Sequence, residues 1–190
     1  CYGGWKRDCR FPAWLKRILL ILPTDPMASK NGCFCVFVEE MGGIHPEDSI
    51  LLEEPNRRTF FSQIHRLRGI INKAKSEYRR VEVIFYYSGH SDEYNILLGE
   101  EKLSYKEYRK AINSMNADVR IAILDSCLSG AFTRIKGGKK KLPFLVDEAY
   151  DMRGNAFMSS SSATEASQES DLIQGSFFTH YLISGMRGAA

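Results

Sequence analysis

Residues 81–90 read "VEVIFYYSGH". Apart from Glu82 the first seven are apolar, and β-branched and aromatic side chains dominate. That composition suits a strand covered on both faces, as strands of parallel sheets are. The run then breaks at a serine and a glycine and leaves an imidazole, His90, just past its end. A second run of the same kind, "VRIAILDSC" at 119–127, ends in a carboxylate, a small hydroxyl and a thiol: Asp125, Ser126 and Cys127.

Helical patterns flank these runs. In "NRRTFFSQIHRLRGIINKAKSEY" (56–78), Phe60, Phe61, Ile64, Leu67, Ile71 and Ala74 recur at three-and-four spacing with basic residues between them. The spacing predicts an amphipathic helix, with Asn56 or Thr59 as its cap. "SYKEYRKAINSM" (104–115) also reads as a helix, and its Ser104-x-x-Glu107 start matches a capping box. "SILLEE" (49–54), "YNILLG" (94–99) and "NAFMSSSS" (155–162) read as short strands. "SFFTHYLISGM" (176–186) reads as a final helix whose Phe177, Phe178, Tyr181 and Leu182 are expected in the core. Strands alternating with helices imply an α/β fold: a mostly parallel central sheet with helices on both faces. In such sheets chemistry gathers beyond the carboxyl ends of the strands, where His90 and Cys127 fall.

Composition narrows the classes. The 190 residues suit one domain; 44% are apolar and 26% charged, as in globular chains. A net charge of +3 does not argue for nucleic acid or a membrane surface, and Lys139, Lys140 and Lys141 read as a solvated loop. The five cysteines (Cys1, Cys9, Cys33, Cys35 and Cys127) are odd in number, with no CxxC spacing. A disulfide scaffold and a zinc site are therefore not expected, and a reducing, cytoplasmic location is. No stretch reaches the roughly 18 apolar residues of a membrane span. "LKRILLILP" (15–23) follows basic residues as a signal peptide would, but it reads better as a core segment. The chain begins at Cys1 and reads as a piece of something longer, with further domains as possible partners.

A thiol becomes a strong nucleophile only as the thiolate, and an imidazole beside it can take its proton and later protonate a leaving amine. The motifs "YYSGH" (86–90) and "DSCLSG" (125–130) resemble those of caspase-like cysteine peptidases, in particular the metacaspase and bacterial orthocaspase branch. "FMSSSSATEASQES" (157–170) and "GSFFTHYLISGMRG" (175–188) also look like the small-subunit part of such bacterial enzymes, so the resemblance spans about residues 45 to 190. It implies a caspase-like three-layer sandwich over 1–190, with Cys127 as nucleophile and His90 as its partner. It also implies an oxyanion hole from the backbone N–H groups of Cys127 and Ser91, although the family has glycine where Ser91 stands. Asp125 is not the activating base, because a carboxylate raises a neighbouring thiol's pKa. The resemblance instead implies that Asp125, with Glu165, lines an S1 pocket for a basic side chain.

The expected activity is therefore cleavage of protein or peptide substrates after Arg or Lys. No organic cofactor or metal is implied; calcium dependence is left open, since no ligand loop is evident. The loop at 131–143 carries Arg134, Lys136, Lys139, Lys140 and Lys141, which would suit self-cleavage. His45, His65 and His180 read as structural or solvated, and Tyr86 and Tyr87 as strand packing. Residues 1–40 depart from the family pattern: they hold three prolines and no clear helical period. This implies either a missing first strand or an altered one, for instance by a shifted reading frame. A catalytically inactive caspase-like scaffold is the alternative. A nucleotide-binding α/β domain fits less well, for want of GxGxxG and GxxxxGK[ST] loops.

Overall fold

A computed structural model describes residues 15–23, 44–92, 94–126, 154–160, 169–170 and 175–186. Its centre is a five-stranded parallel sheet in the order β2-β1-β3-β6-β7. The strands are β1 (Leu15–Pro23), β2 (Ser49–Leu51), β3 (Arg80–Gly89), β6 (Val119–Ser126) and β7 (Asn155–Ser159). Two antiparallel pairs lie outside it. One is the hairpin β4 (Asn95–Leu98) with β5 (Glu101–Ser104), and the other is β8 (Glu169–Ser170) with β9 (Gly175–Ser176). The described helices are α1 (Arg57–Glu77), α2 (Tyr105–Asn113) and α3 (Phe177–Met186).

The alternation of β3 divides the core. Val81, Val83, Phe85 and Tyr87 face α1 and α2, joining Phe60, Ile64, Leu67 and Ile71 of α1 and Tyr105, Tyr108 and Ile112 of α2. Ile84 and Tyr86 face the other way and pack with Ile44, Ile123 and Ile183 of α3. Helices thus cover both faces, and a period of two in one strand feeds two separate cores. Local chemistry sets the helix starts. Asn56 caps α1, its side chain accepting from the Thr59 N–H at 2.8 Å. Ser104 and Glu107 form the capping box of α2. Glu107 also accepts from Arg57 at 2.6 Å, tying the two helix starts together. Gly154, just before β7, has φ +86°, and a Cβ there would stand 2.2 Å from the Asp118 carbonyl oxygen, so glycine is required.

Three expectations need correction. The segment 15–23 is neither missing from the sheet nor only a core segment. It is a nine-residue strand between β2 and β3, in register from Leu15↔Arg80 to Pro23↔Ser88. A leucine-isoleucine run suits that place, and its proline stands beyond Ile21, the last residue that pairs with β2. Phe61, expected on the buried stripe of α1, is exposed, because it lies one residue, about 100° of helical turn, past Phe60; residues 101–104 form β5, since Gly99, at φ +60°, lets the chain reverse after β4. Phe177 and Tyr181 are exposed on α3, stacked at 6.5 Å, while Phe178 and Leu182 pack inward. The described part of α3 buries one narrow stripe against the sheet, and the first and fifth residues of the helix fall on its outer side.

Candidate active site

The sheet orders the carboxyl ends of its strands. From β1 the chain passes to β2 on one side, whereas β3, β6 and β7 follow in turn on the other. The C-terminal end of β3 therefore adjoins the point where the strand order reverses, which is where open α/β sheets bind ligands. Along β3 and β6 the register runs from Glu82↔Val119 to Ser88↔Asp125 and Gly89↔Ser126. His90 follows Gly89 directly, and Cys127 follows Ser126.

His90 is exposed. Its backbone is not loose: its carbonyl oxygen accepts from the Leu97 N–H at 3.0 Å and from the Tyr87 hydroxyl at 2.5 Å. The chain then runs antiparallel to β4 through a Ser91↔Ile96 bridge. The ladder bonds on either side of that bridge are made by the N–H groups of Leu97 and Asp92. Asp92 closes the turn, accepting from the Tyr94 and Asn95 N–H groups and from Lys102. Burial opposes its ionisation, but the bonds from Lys102, Tyr94 and Asn95 prevail and hold its pKa at about 2.

Asp125 lies on the opposite side of the sheet from Tyr87 and is 3% exposed. Ser176 donates to its Oδ1 at 2.9 Å, and Thr179 donates to its Oδ2. The Tyr86 hydroxyl and Thr179 Oγ1 lie 2.5 Å apart. Thr179 has one proton and gives it to the carboxylate, so Tyr86 is the donor to Thr179. Ser176 also accepts from the Phe178 N–H, as a helix-capping oxygen does. A carboxylate at the start of α3 complements the helix dipole. Ser126 is buried, and its N–H donates to Ser160 Oγ at 3.0 Å. Burial raises the pKa of the Tyr105 phenol and keeps it protonated, against a smaller opposing effect of the nearby Ser91 and Ser126.

Of the residues singled out in the sequence, His90, Ser91 and Asp125 are described. Cys127, Glu165 and the basic loop at 131–143 lie outside the described residues, as do Cys33 and Cys35. His45, His65 and His180 are exposed. Among the described residues no group of three or more His, Cys, Asp or Glu side chains could hold a metal. No helix among them is long and apolar enough to cross a membrane. The sequence did not announce the polar tasks of Tyr86, Tyr87, Ser176 and Thr179. A paired tyrosine before Ser-Gly-His reads as packing until the hairpin and α3 supply partners for the two hydroxyls. No protein-family model matches this chain, and no curated protein matches it.

Proposed function

We propose that the chain is a cysteine endopeptidase of caspase-like architecture that cleaves after Arg or Lys. The register pairing of Gly89 with Ser126 carries the reading, because it sets the residues preceding His90 and Cys127 side by side on neighbouring strands. Adjacent strands lie about 4.8 Å apart, a spacing that would let a thiol and an imidazole just past two neighbouring strand ends reach each other. In the first step the Cys127 thiol passes its proton to His90 while sulfur bonds to the scissile carbonyl carbon. The C–N bond then breaks, and His90 returns the proton to the departing amine. Water hydrolyses the thioester and restores the thiol. Backbone N–H groups near Ser91 and Cys127 would stabilise the oxyanion. Asp125, with Glu165, would supply the negative charge that favours a basic P1 side chain and disfavours Asp. The reading takes the substrate as protein or peptide, with no cofactor.

One observation favours a second reading. Both Asp125 oxygens already accept hydroxyl protons, from Ser176 just before α3 and from Thr179 within it, and the residue is nearly inaccessible. A carboxylate spent on fastening a helix suits a caspase-like scaffold without turnover. Fluorogenic Arg, Lys and Asp peptides, assayed with wild type, Cys127→Ala and His90→Ala, decide between the two. The peptidase reading expects turnover of Arg and Lys peptides that both variants abolish. Background signal from wild type on every peptide would leave only the scaffold.

A further inference from the structure

We infer that Tyr87 is a positioning residue for His90, acting through the His90 carbonyl rather than through substrate. The inference rests on the Cys127/His90 reading above. The Tyr87 ring is fully buried on the α1/α2 face of β3, and its Oη stands 2.5 Å from His90 O and 2.9 Å from Leu97 O. One phenolic proton is therefore shared between two carbonyls, one on the strand end and one on the hairpin. Leu97 also donates its N–H to His90 O at 3.0 Å, so the peptide unit after His90 is held from β3 and from β4 together. Asp92, bonded to Tyr94, Asn95 and Lys102, seals the far side of the same turn. The imidazole is left in solvent while the backbone that aims it is fixed. The same peptide unit carries the Ser91 N–H, so the clamp sets the direction of a proposed oxyanion donor as well.

Tyr87→Phe removes a single oxygen and leaves the ring and its packing. It strips His90 O and Leu97 O of their common donor. A displacement of about 1 Å in a catalytic group costs up to a hundredfold in rate, so kcat on an Arg peptide should fall by about ten- to a hundredfold. KM should stay within about twofold, since no substrate contact is lost. Tyr108→Phe is the control. Its hydroxyl is likewise buried on α2 but has no hydrogen-bond partner among the described residues, so kcat should not change. The full chain is used throughout, with circular dichroism confirming that each variant is folded at the assay temperature.

A second measurement needs no variant. In wild type the Tyr87 hydroxyl proton should exchange slowly enough with water to be seen by NMR and should show a cross-peak to the turn at Ser91. Unchanged kcat in folded Tyr87→Phe, or equal losses in Tyr87→Phe and Tyr108→Phe, overturns the inference while the dyad stands. A freely exchanging Tyr87 proton overturns it even if Tyr87→Phe does not fold. Wild type inactive on every peptide removes the dyad reading and this inference with it, an outcome distinct from an active wild type with an unaffected Tyr87→Phe.

Discussion

The two faces of the central sheet are built from different materials. On one, α1 and α2 press a continuous apolar layer onto Val81, Val83, Phe85, Ala122 and Leu124. On the other, a small cluster of Ile44, Ile84, Tyr86, Ile123 and Ile183 stands beside a polar chain that runs from Tyr86 through Thr179 to Asp125 and Ser176. Apolar burial is non-directional and scales with area, so the first face supplies most of the stability. Hydrogen bonds contribute less net energy but fix orientation, so the second face holds α3 at one angle rather than merely holding it on. The candidate site lies at the edge where the two faces meet. His90 is braced from the apolar side through Tyr87, and Asp125 from the polar side through α3.

The largest effect should come from the apolar face. Phe60→Ala, at a fully buried position, should cost about 4 kcal/mol in urea unfolding. Ile183→Ala on the other face should cost about 2 kcal/mol, since its pocket borders partly buried neighbours and can collapse. Equal losses would erase the contrast between the faces. Thr179→Val tests the polar chain without changing shape. It leaves Asp125 short of one donor and Tyr86 short of its acceptor, for an expected loss of about 2 kcal/mol. A loss below about 0.5 kcal/mol would mean that α3 is held by its apolar stripe alone.

A smaller effect concerns pH. The Arg57 guanidinium, helped by Ser104, holds the Glu107 carboxyl at about 2, well under the ordinary 4.5. A carboxyl depressed in the folded chain stabilises it fully above its ordinary pKa, and that share is lost as pH falls through the depressed value. Acid should therefore erode stability between about pH 5 and pH 2. The pair is partly exposed, so solvent screening keeps the loss at or below about 1 kcal/mol. Glu107→Gln keeps the capping box and should lessen the fall in melting temperature over that interval, the remainder coming from groups such as Asp92 that are also held at about 2; an unchanged slope would assign the acid sensitivity elsewhere. Smallest of all, Tyr108→Phe removes a buried hydroxyl that has no partner among the described residues, and stability should hold or rise by up to about 1 kcal/mol.

Elements with strong local signals were legible before any coordinates. The periodicity of Phe60, Ile64, Leu67, Ile71 and Ala74 matches the buried stripe of α1, with Phe61 the one member of the predicted face that is exposed, and the Ser104/Glu107 box opens α2 as expected. The apolar runs ending at Gly89 and Ser126 are the strands β3 and β6. What stayed hidden depends on partners distant in sequence. Residues 15–23 become an inner strand only because β2 and β3 bracket them. Phe177 and Tyr181 look like core residues because aromatic character does not say which side of a helix meets the sheet. At the site, the position of His90 past a strand end was readable from composition. The Tyr87 clamp was not, since it needs Leu97 to fold back across the turn. The Asp125 bonds to Ser176 and Thr179 span more than 50 residues, beyond the reach of local pattern.

The most direct test of the central claim is the pH dependence of Cys127 alkylation by iodoacetamide, followed by peptide mass spectrometry in wild type and in His90→Ala. A thiol paired with an imidazole reacts well below the ordinary thiol midpoint of about 8.5, and the profile should move back toward that value when His90 is removed. Identical profiles in the two proteins, each centred near the ordinary midpoint, would contradict the pairing of Cys127 with His90.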